Sequence, residues 1–515
     1  MNFKKLLGPM GAGGASALLA FTSFLSYVAG LLRDKTIAYN FGTSAATDTY
    51  NASFLIPDML FNLFIAGALI AAFMPIFSEY LEKNRPEAFS VANTVLTGAS
   101  ILISFIAVIA FIFMGSIIPA IFPNVDPEAQ ISIINMTRLM LPSALLFSIS
   151  NTLGNVLMTY RKFTAFAISP VIYNIGIILG ILLLQEQFGI YSAAIGVLIG
   201  TVFHLIVRIL DIFNTDYRFK PELKLKTPGF KRIVKLMIPK SISLVAWQLN
   251  LYIFAVVGMR MIEGGLAAFN FARNIQSFAV SLFGIAFATA VFPVLNSAIN
   301  NGDRKLYTHH VQTTIQRVLF FTVPCAIGVL LLAEPITLLI LGGGQFDEKS
   351  VELTSVVLTF FALSIPLESL TTVFARSFYA LKNTLTPMFI NIISLSIIAS
   401  ITIFVAPKYG IQWFSIGFTI GFAVYNVLFI TLLSRKLQDF KFKKFAESIT
   451  KTAISTAVMG AGVYFTINSA LPINKAISGI VVGGGLYLLT AYLIKAPEID
   501  AVRIVFNKLT KKKNA

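Results

Sequence analysis

The sequence predicts an all-α polytopic membrane protein of about 14 transmembrane helices, built as two parallel six-helix lobes plus two C-terminal helices. Composition is the first observation. The chain of 515 residues is 56% hydrophobic and only 12% charged, with a mean hydropathy of +0.80. Soluble domains carry about 25% charged residues, so a soluble protein could not bury this much apolar surface. A β-barrel would show short alternating segments instead of long apolar runs.

The second observation is that the chain contains repeated apolar runs of about 20 residues, the length at which a helix spans a bilayer core. The predicted spans are residues 11–32, 49–78, 92–114, 131–158, 164–184, 190–210, 236–258, 266–296, 312–333, 351–375, 386–406, 410–433, 450–470 and 476–495. The first run is too long for a cleaved signal peptide. The second and eighth spans contain Pro57 and Pro293, which predict bends or breaks there.

The distribution of basic residues tests this topology. With the N-terminus placed in the cytoplasm, 29 of the 40 Lys and Arg residues fall on the cytoplasmic side, six fall outside and five fall within spans. This asymmetry predicts cytoplasmic termini and an even number of spans. The basic loop at 217–232 is consistent with orientation and loose contact with anionic lipid, and we expect no nucleic-acid partner.

An internal repeat is the third observation. "IGVLIG" (195–200) matches "IGFTIG" (416–421), and "AAFMPIF" (71–77) resembles "TAVFPVL" (289–295), at nearly the same offset. A unit of six helices repeats in parallel orientation, which is typical of transporters with two halves. We therefore divide the chain into a lobe at 1–215, a basic linker at 216–235, a lobe at 236–437, and two helices with a basic tail at 438–515.

The chain carries little that would predict an enzyme. It has no P-loop motif for nucleotide hydrolysis, and its one cysteine, Cys325, provides neither an intrachain disulfide nor a thiolate metal cluster. The sequence also shows no arrangement of nucleophile, base and acid that is typical of an enzyme active site. We expect a transporter without a cofactor, coupled to the membrane potential or to a monovalent cation gradient.

Ionisable residues within predicted spans are costly and point to function by default. The candidates are Asp48, Asp58, Arg138, Lys240, Arg273 and Glu368. Arg138 and Lys240 have an alternative interpretation, since both lie near predicted helix ends and their long side chains can reach the interface. Cations in a central cavity suit an anionic substrate, and Arg in particular suits phosphate. The acids would pair with these cations or bind a coupling ion.

The segment "SYVAGLLRDKTIAYNFG" (26–42) is similar to the signature S-R-x-x-G-x-x-R-D followed by F-G, and the similarity continues to residue 80. With this signature the chain resembles the lipid II flippases of the MurJ (MviN) family, in the multidrug/oligosaccharidyl-lipid/polysaccharide (MOP) exporter superfamily. Later matches include "LLAEPITLLILGGGQFD" (331–347) and "ARSFYALKNTLTP" (375–387). The resemblance is collinear and covers spans 1 to 12.

The resemblance implies that the protein moves lipid II from the inner to the outer leaflet of the bacterial cytoplasmic membrane by alternating access. Its partners would be a lipid-linked saccharide pyrophosphate, membrane lipids and proteins of cell-wall synthesis. Arg33 matches an arginine that lines the family's central cavity and meets the pyrophosphate, and Asp34 and Asp48 match acidic family positions. A solvated helix end is the alternative interpretation of Arg33.

The chain also departs from the family pattern. Family arginines are replaced at Tyr27, Phe61 and Asn62, the signature glutamate is Ala66, and the family's Asp-Arg appears as Arg273-Asn274. Arg273, Lys240 and Arg138 would then complete the binding site. Alternatives are a flippase for another polyprenyl-linked oligosaccharide, of the O-antigen or capsule type, or a cation-coupled exporter of small molecules in the same superfamily.

Overall fold

A computed structural model describes residues 12–62, 67–469 and 474–500, with side chains described except at 12–17, 20, 67–71 and 238–244. Within these ranges the regular structure is helical and contains no β-strand; Gly343 and Phe346 form one isolated bridge. The prediction of an all-α membrane protein is confirmed.

The chain forms two compact units. The first contains residues up to Ala267 together with Gly343–Asp347, and the second contains Ala268–Gly342 and Glu348–Ala515. The lobe boundaries expected at 215, 236 and 437 stay a prediction.

Helices that lie in the first unit are α1 (Ala12–Phe41), α2 (Ala45–Ser53), α3 (Leu55–Phe61), α4 (Gly67–Lys83), α5 (Arg85–Ile121), α6 (Pro127–Thr159), α7 (Thr164–Phe188), α8 (Tyr191–Ile212) and α9 (Pro228–Gly258). The helix α10 (Gly265–Val280) begins in the first unit and continues in the second.

The remaining helices are a π-helical segment (Ser281–Ile285), α11 (Ala286–Asn300), α12 (Arg304–Leu331), α13 (Ala333–Leu341), α14 (Glu348–Ala362), α15 (Ser364–Ala380), α16 (Leu385–Phe404), α17 (Ala406–Tyr409), α18 (Gln412–Ser434), α19 (Phe442–Ile467) and α20 (Lys475–Leu493). Among the described residues, nine helical spans are long and apolar enough to cross a membrane, or ten if α14 and α15 count as one bent span. The total of 14 stays a prediction.

The second span is interrupted at Phe54, between α2 and α3, three residues before Pro57. In the eighth span the helix widens at the π-helical segment, whereas Pro293 lies inside the regular helix α11. This segment also packs closely on α15: a Cβ on Gly284 would lie 2.7 Å from the Cα of Ser369. The tenth span bends by 46° between α14 and α15, where Pro366 lies in the first turn of α15.

Glycines explain how neighbouring helices pack in the repeated segments. In the first unit, a Cβ on Gly176 would lie 2.2 Å from the Cα of Gly200, and a Cβ on Gly180 would lie 2.4 Å from the Cα of Gly196. Both helices, α7 and α8, thus contribute small residues to one close contact. In the second unit, the matching glycines of α18 face isoleucine side chains on α16 instead.

The chain leaving α8 is fixed to α5 by polar side chains. Tyr217 donates a hydrogen bond of 2.7 Å to the Asn93 side chain, and the backbone N–H of Lys224 donates to the hydroxyl of Thr94 at 3.2 Å.

The second unit repeats this arrangement. The N–H of Lys441 donates to the Gln312 side chain at 3.1 Å, and the Gln316 amide donates to the carbonyl of Lys444 at 3.3 Å. Since α5 and α12 are the third helices of the two predicted six-helix units, these contacts support the internal repeat.

Candidate functional site

Arg33 lies inside α1, not at its end. The predicted first span stopped at residue 32, but α1 continues to Phe41. The Arg33 side chain is 24% exposed and that of Asp34 is 5% exposed. Arg33 therefore does not occupy a solvated helix end; it lies in a helical position with limited access to solvent.

The guanidinium of Arg33 is oriented by two side chains. Its Nε and Nη2 donate to Oδ1 of Asp34 at 3.0 and 2.7 Å, and its Nη1 donates to Oδ1 of Asn174 at 3.1 Å. Asn174 is in turn oriented by donating to the carbonyl of Pro170 at 2.9 Å. These bonds use three of the five N–H donors of a guanidinium. The other two have no acceptor among the residues that the structure describes.

Two tyrosines lie close both to Arg33 and to a second acid, Asp58. Tyr50 and Tyr173 both interact electrostatically with Arg33 and with Asp58. Asp58 is exposed, and its carboxylate makes no hydrogen bond or ion pair among the residues that the structure describes. The first unit thus places a cation, an exposed acid and two phenols around one region of α1, α2, α3 and α7.

The second unit holds a separate cluster around Arg273. Its Nη1 and Nη2 donate to the two carboxylate oxygens of Glu368, each at 2.8 Å, and Nη1 also donates to Gln276. Gln276 donates to Glu368 at 2.9 Å, and the guanidinium lies 4.8 Å from the ring centre of Phe418. This two-pronged pair neutralises both charges. The structure thus brings Arg273 and Glu368 together in an ion pair.

Asp48 occupies a structural position. Its two carboxylate oxygens accept hydrogen bonds of 2.7 Å from the backbone N–H groups of Gly264 and Ala267. These donors belong to the start of α10, where a negative charge stabilises the helix. Both oxygens are therefore engaged in capping.

The structure does not bring Arg138 to the other candidates. Its Nε donates to the carbonyl of Phe111 at 3.0 Å, and its guanidinium lies 5.1 Å from the centre of the Phe111 ring. The side chain of Lys240 lies outside the described residues, as does Ala66.

Sequence reasoning missed the neutral partners of the charges. Asn174 and Gln276 orient the two arginines, and their only signal was a polar residue within an apolar run. It also passed over Arg208, which is buried and donates to Ser150, Asn151 and Ser169 within the first unit. That side chain has no access to a ligand, so its role is to join α6, α7 and α8.

Comparisons with known proteins agree with this architecture. A curated relative from Rickettsia prowazekii, a probable lipid II flippase MurJ, is 26% identical over 94% of this chain and 98% of its own length. One from Aquifex aeolicus is 27% identical over 88% of each chain.

Solved structures are also similar. A lipid II flippase MurJ in an inward closed conformation matches with a TM-score of 0.80 at 25% identity, over 93% of this chain and 98% of that one. A multidrug resistance MATE transporter of the MOP superfamily, in an inward-facing conformation, matches with a TM-score of 0.66 at 16% identity, over 80% and 94%. The second likeness shows the fold alone. The family model for the lipid II flippase MurJ matches residues 37–474, and the chain therefore belongs to the MurJ family.

Proposed function

We propose that this protein is a flippase that moves lipid II from the inner to the outer leaflet of the cytoplasmic membrane by alternating access, and so supplies cell-wall synthesis. The observation that carries the proposal is the family match over residues 37–474. The protein would act as a transporter, with the lipid-linked saccharide as cargo and no covalent step.

Arg33 is the residue best placed to hold the pyrophosphate. A guanidinium presents its donors in a planar fork that suits phosphate oxygens, and two donors of Arg33 remain after Asp34 and Asn174 are satisfied. Arg273, Arg138 and Lys240 stay secondary candidates, because Arg273 is paired with Glu368 and Arg138 binds a backbone carbonyl.

Asp58 is the strongest candidate for energy coupling. Asp34 and Glu368 pair with arginines and Asp48 caps a helix, whereas Asp58 is exposed without such a partner among the described residues. Moving one charge across 100 mV is worth about 2.3 kcal/mol, enough to bias two conformations. Asp58→Asn should uncouple flipping from the ion gradient in proteoliposomes, and unchanged coupling would remove Asp58 from the mechanism.

A flippase for another polyprenyl-linked oligosaccharide is the second candidate. The departures from the family pattern at Tyr27, Phe61 and Asn62 favour this candidate. Phe61, for example, packs against Phe147, with 5.4 Å between the two ring centres.

We also propose that both termini are cytoplasmic, and that proteins of cell-wall synthesis are partners.

The deciding experiment is complementation of a bacterium depleted of its own lipid II flippase. We expect the protein to restore growth and to expose the lipid II headgroup to an external probe. A strain lacking an O-antigen flippase, expressing the same amount of protein, is the parallel test. Restoration of O-antigen export without restoration of growth would overturn the lipid II assignment in favour of the second candidate.

A further inference from the structure

The second unit contains an apolar cavity whose lining includes neither Arg273 nor Glu368. Its volume is about 480 Å³, within the range of small-molecule sites. It is formed by α12, α15, α18, the segment after α18 and the start of α19. Its lining residues are Ile315, Leu319, Leu370, Phe374 and eight others, of which Ser434 alone has a polar side chain.

Basic residues flank the lining residues of this cavity along the chain. Five exposed basic residues lie between its lining residues, and we call these five the basic rim: Arg435, Lys436, Lys441, Lys443 and Lys444. None of the five makes an ion pair within the described ranges. The segment that lines the apolar interior thus also carries a dense positive charge.

The acids of this region are engaged by other lysines. Asp439 pairs with Lys305 at 2.9 Å, and hydrogen bonding to that lysine lowers the pKa of its carboxyl. Glu447 pairs with Lys451 at 2.6 Å. Asp439 also interacts at longer range with Lys441, and Glu447 with Lys443 and Lys444. The rim nevertheless keeps a net positive charge.

The wall that carries the basic residues is held in place. Thr308, Gln312 and Gln316 lie at four-residue spacing on one face of α12, and each bonds the backbone of residues 438–444. Gln312 both accepts from the N–H of Lys441 and donates to its carbonyl, at 3.1 and 3.2 Å. The rim lysines therefore extend from an ordered backbone.

We propose that this cavity binds one acyl chain of an anionic phospholipid, with its phosphate on the basic rim. The apolar lining excludes a headgroup but suits a hydrocarbon chain. Charge complementarity then selects an anionic lipid, since basic residues at the membrane surface attract such headgroups. The proposal goes beyond the flippase function, and its test needs no transport.

The test measures lipids retained by the full-length protein. The purified protein is exchanged into a mixture of phosphatidylglycerol and phosphatidylcholine with identical acyl chains, and bound lipids are counted by native mass spectrometry. Changing Lys441, Lys443 and Lys444 to Glu should reduce the preference for phosphatidylglycerol by roughly fivefold or more for each lysine lost. The matched control changes three exposed lysines elsewhere, Lys349, Lys408 and Lys475, and should keep the preference.

A second variant fills the cavity. Leu319→Trp, or Ile449→Trp if the first does not fold, should remove the retained lipid while the melting temperature shows that the protein is folded. Equal retention of the two lipids by the wild type, or unchanged retention after filling, would overturn the proposal. Displacement of phosphatidylglycerol by a lower concentration of undecaprenyl phosphate would overturn it too, because the occupant would then be a polyprenyl chain.

Discussion

Arg33 shows what a charged residue in an apolar run can and cannot indicate. The sequence predicted a headgroup-binding arginine through the family signature, but it ended the helix before the charges. A hydropathy scale scores Arg33 and Asp34 as two separate charged residues. In the structure they form an ion pair and neutralise each other within one helix turn. Since a paired charge costs less to bury than an isolated one, α1 continues to Phe41.

Replacing Arg33 tests the binding role directly. Arg33→Ala should lower apparent affinity for lipid II by about tenfold or more, because a charged hydrogen bond to the pyrophosphate is lost. Arg33→Lys should recover only part of it, since the planar fork is absent. Binding of labelled lipid II by the purified protein is the measurement.

The matched control for Arg33 is Arg232→Ala, because Arg232 is also an arginine paired with one acid, Glu79, at 2.8 Å, but is 57% exposed. It should leave affinity unchanged. Equal losses in the two variants would mean that Arg33 acts only through general stability or charge.

The Arg273–Glu368 pair predicts a rescue. Arg273→Ala alone should impair flipping, because it leaves Glu368 as an uncompensated acid. If the role of Arg273 is to neutralise that acid, then Arg273→Ala combined with Glu368→Gln should restore most of the activity. Headgroup exposure at matched expression is the measurement. Failure of the double variant to recover, while folded, would instead place Arg273 in contact with the substrate.

At the scale of helices, the repeat was predictable because it depends on spacing in the sequence. "IGVLIG" and "IGFTIG" do lie at helix–helix contacts, in α8 and α18. What the sequence could not show is the partner surface. Gly196 and Gly200 meet glycines across the contact, whereas Gly417 and Gly421 meet isoleucine side chains, and such a difference is set by tertiary packing.

This difference predicts unequal tolerance to a methyl group. A Cβ on Gly200 would lie 2.4 Å from the backbone oxygen of Tyr173, so Gly200→Ala must separate two helices. We expect a loss of about 1–3 kcal/mol in the free energy of unfolding. On Gly417 the nearest atom is a side-chain methyl of Ile401 at 3.3 Å, which can move, so Gly417→Ala should cost much less. Thermal unfolding in detergent compares them, and equal losses would contradict the packing argument.

For the whole molecule, composition was sufficient to predict the class, since 56% hydrophobic residues require a membrane for their burial. The bend between α14 and α15 was not predictable, because the two helices form one continuous apolar run and Pro366 alone does not fix an angle. The pairing of Arg273 with Glu368 was likewise hidden, because 95 residues separate them along the chain.

The orientation in the membrane is the last prediction. Of the 40 basic residues, the spans predicted from the sequence place 29 on the side that includes the loop at 217–232 and six on the other, and the more basic side should face the cytoplasm. Single cysteines at Asn124, Gln345 and Lys224, all exposed, are introduced after Cys325→Ala. In intact cells an impermeant maleimide should label the first two but not the third, whereas permeabilised cells should label all three. Labelling at Lys224 in intact cells would reverse the orientation.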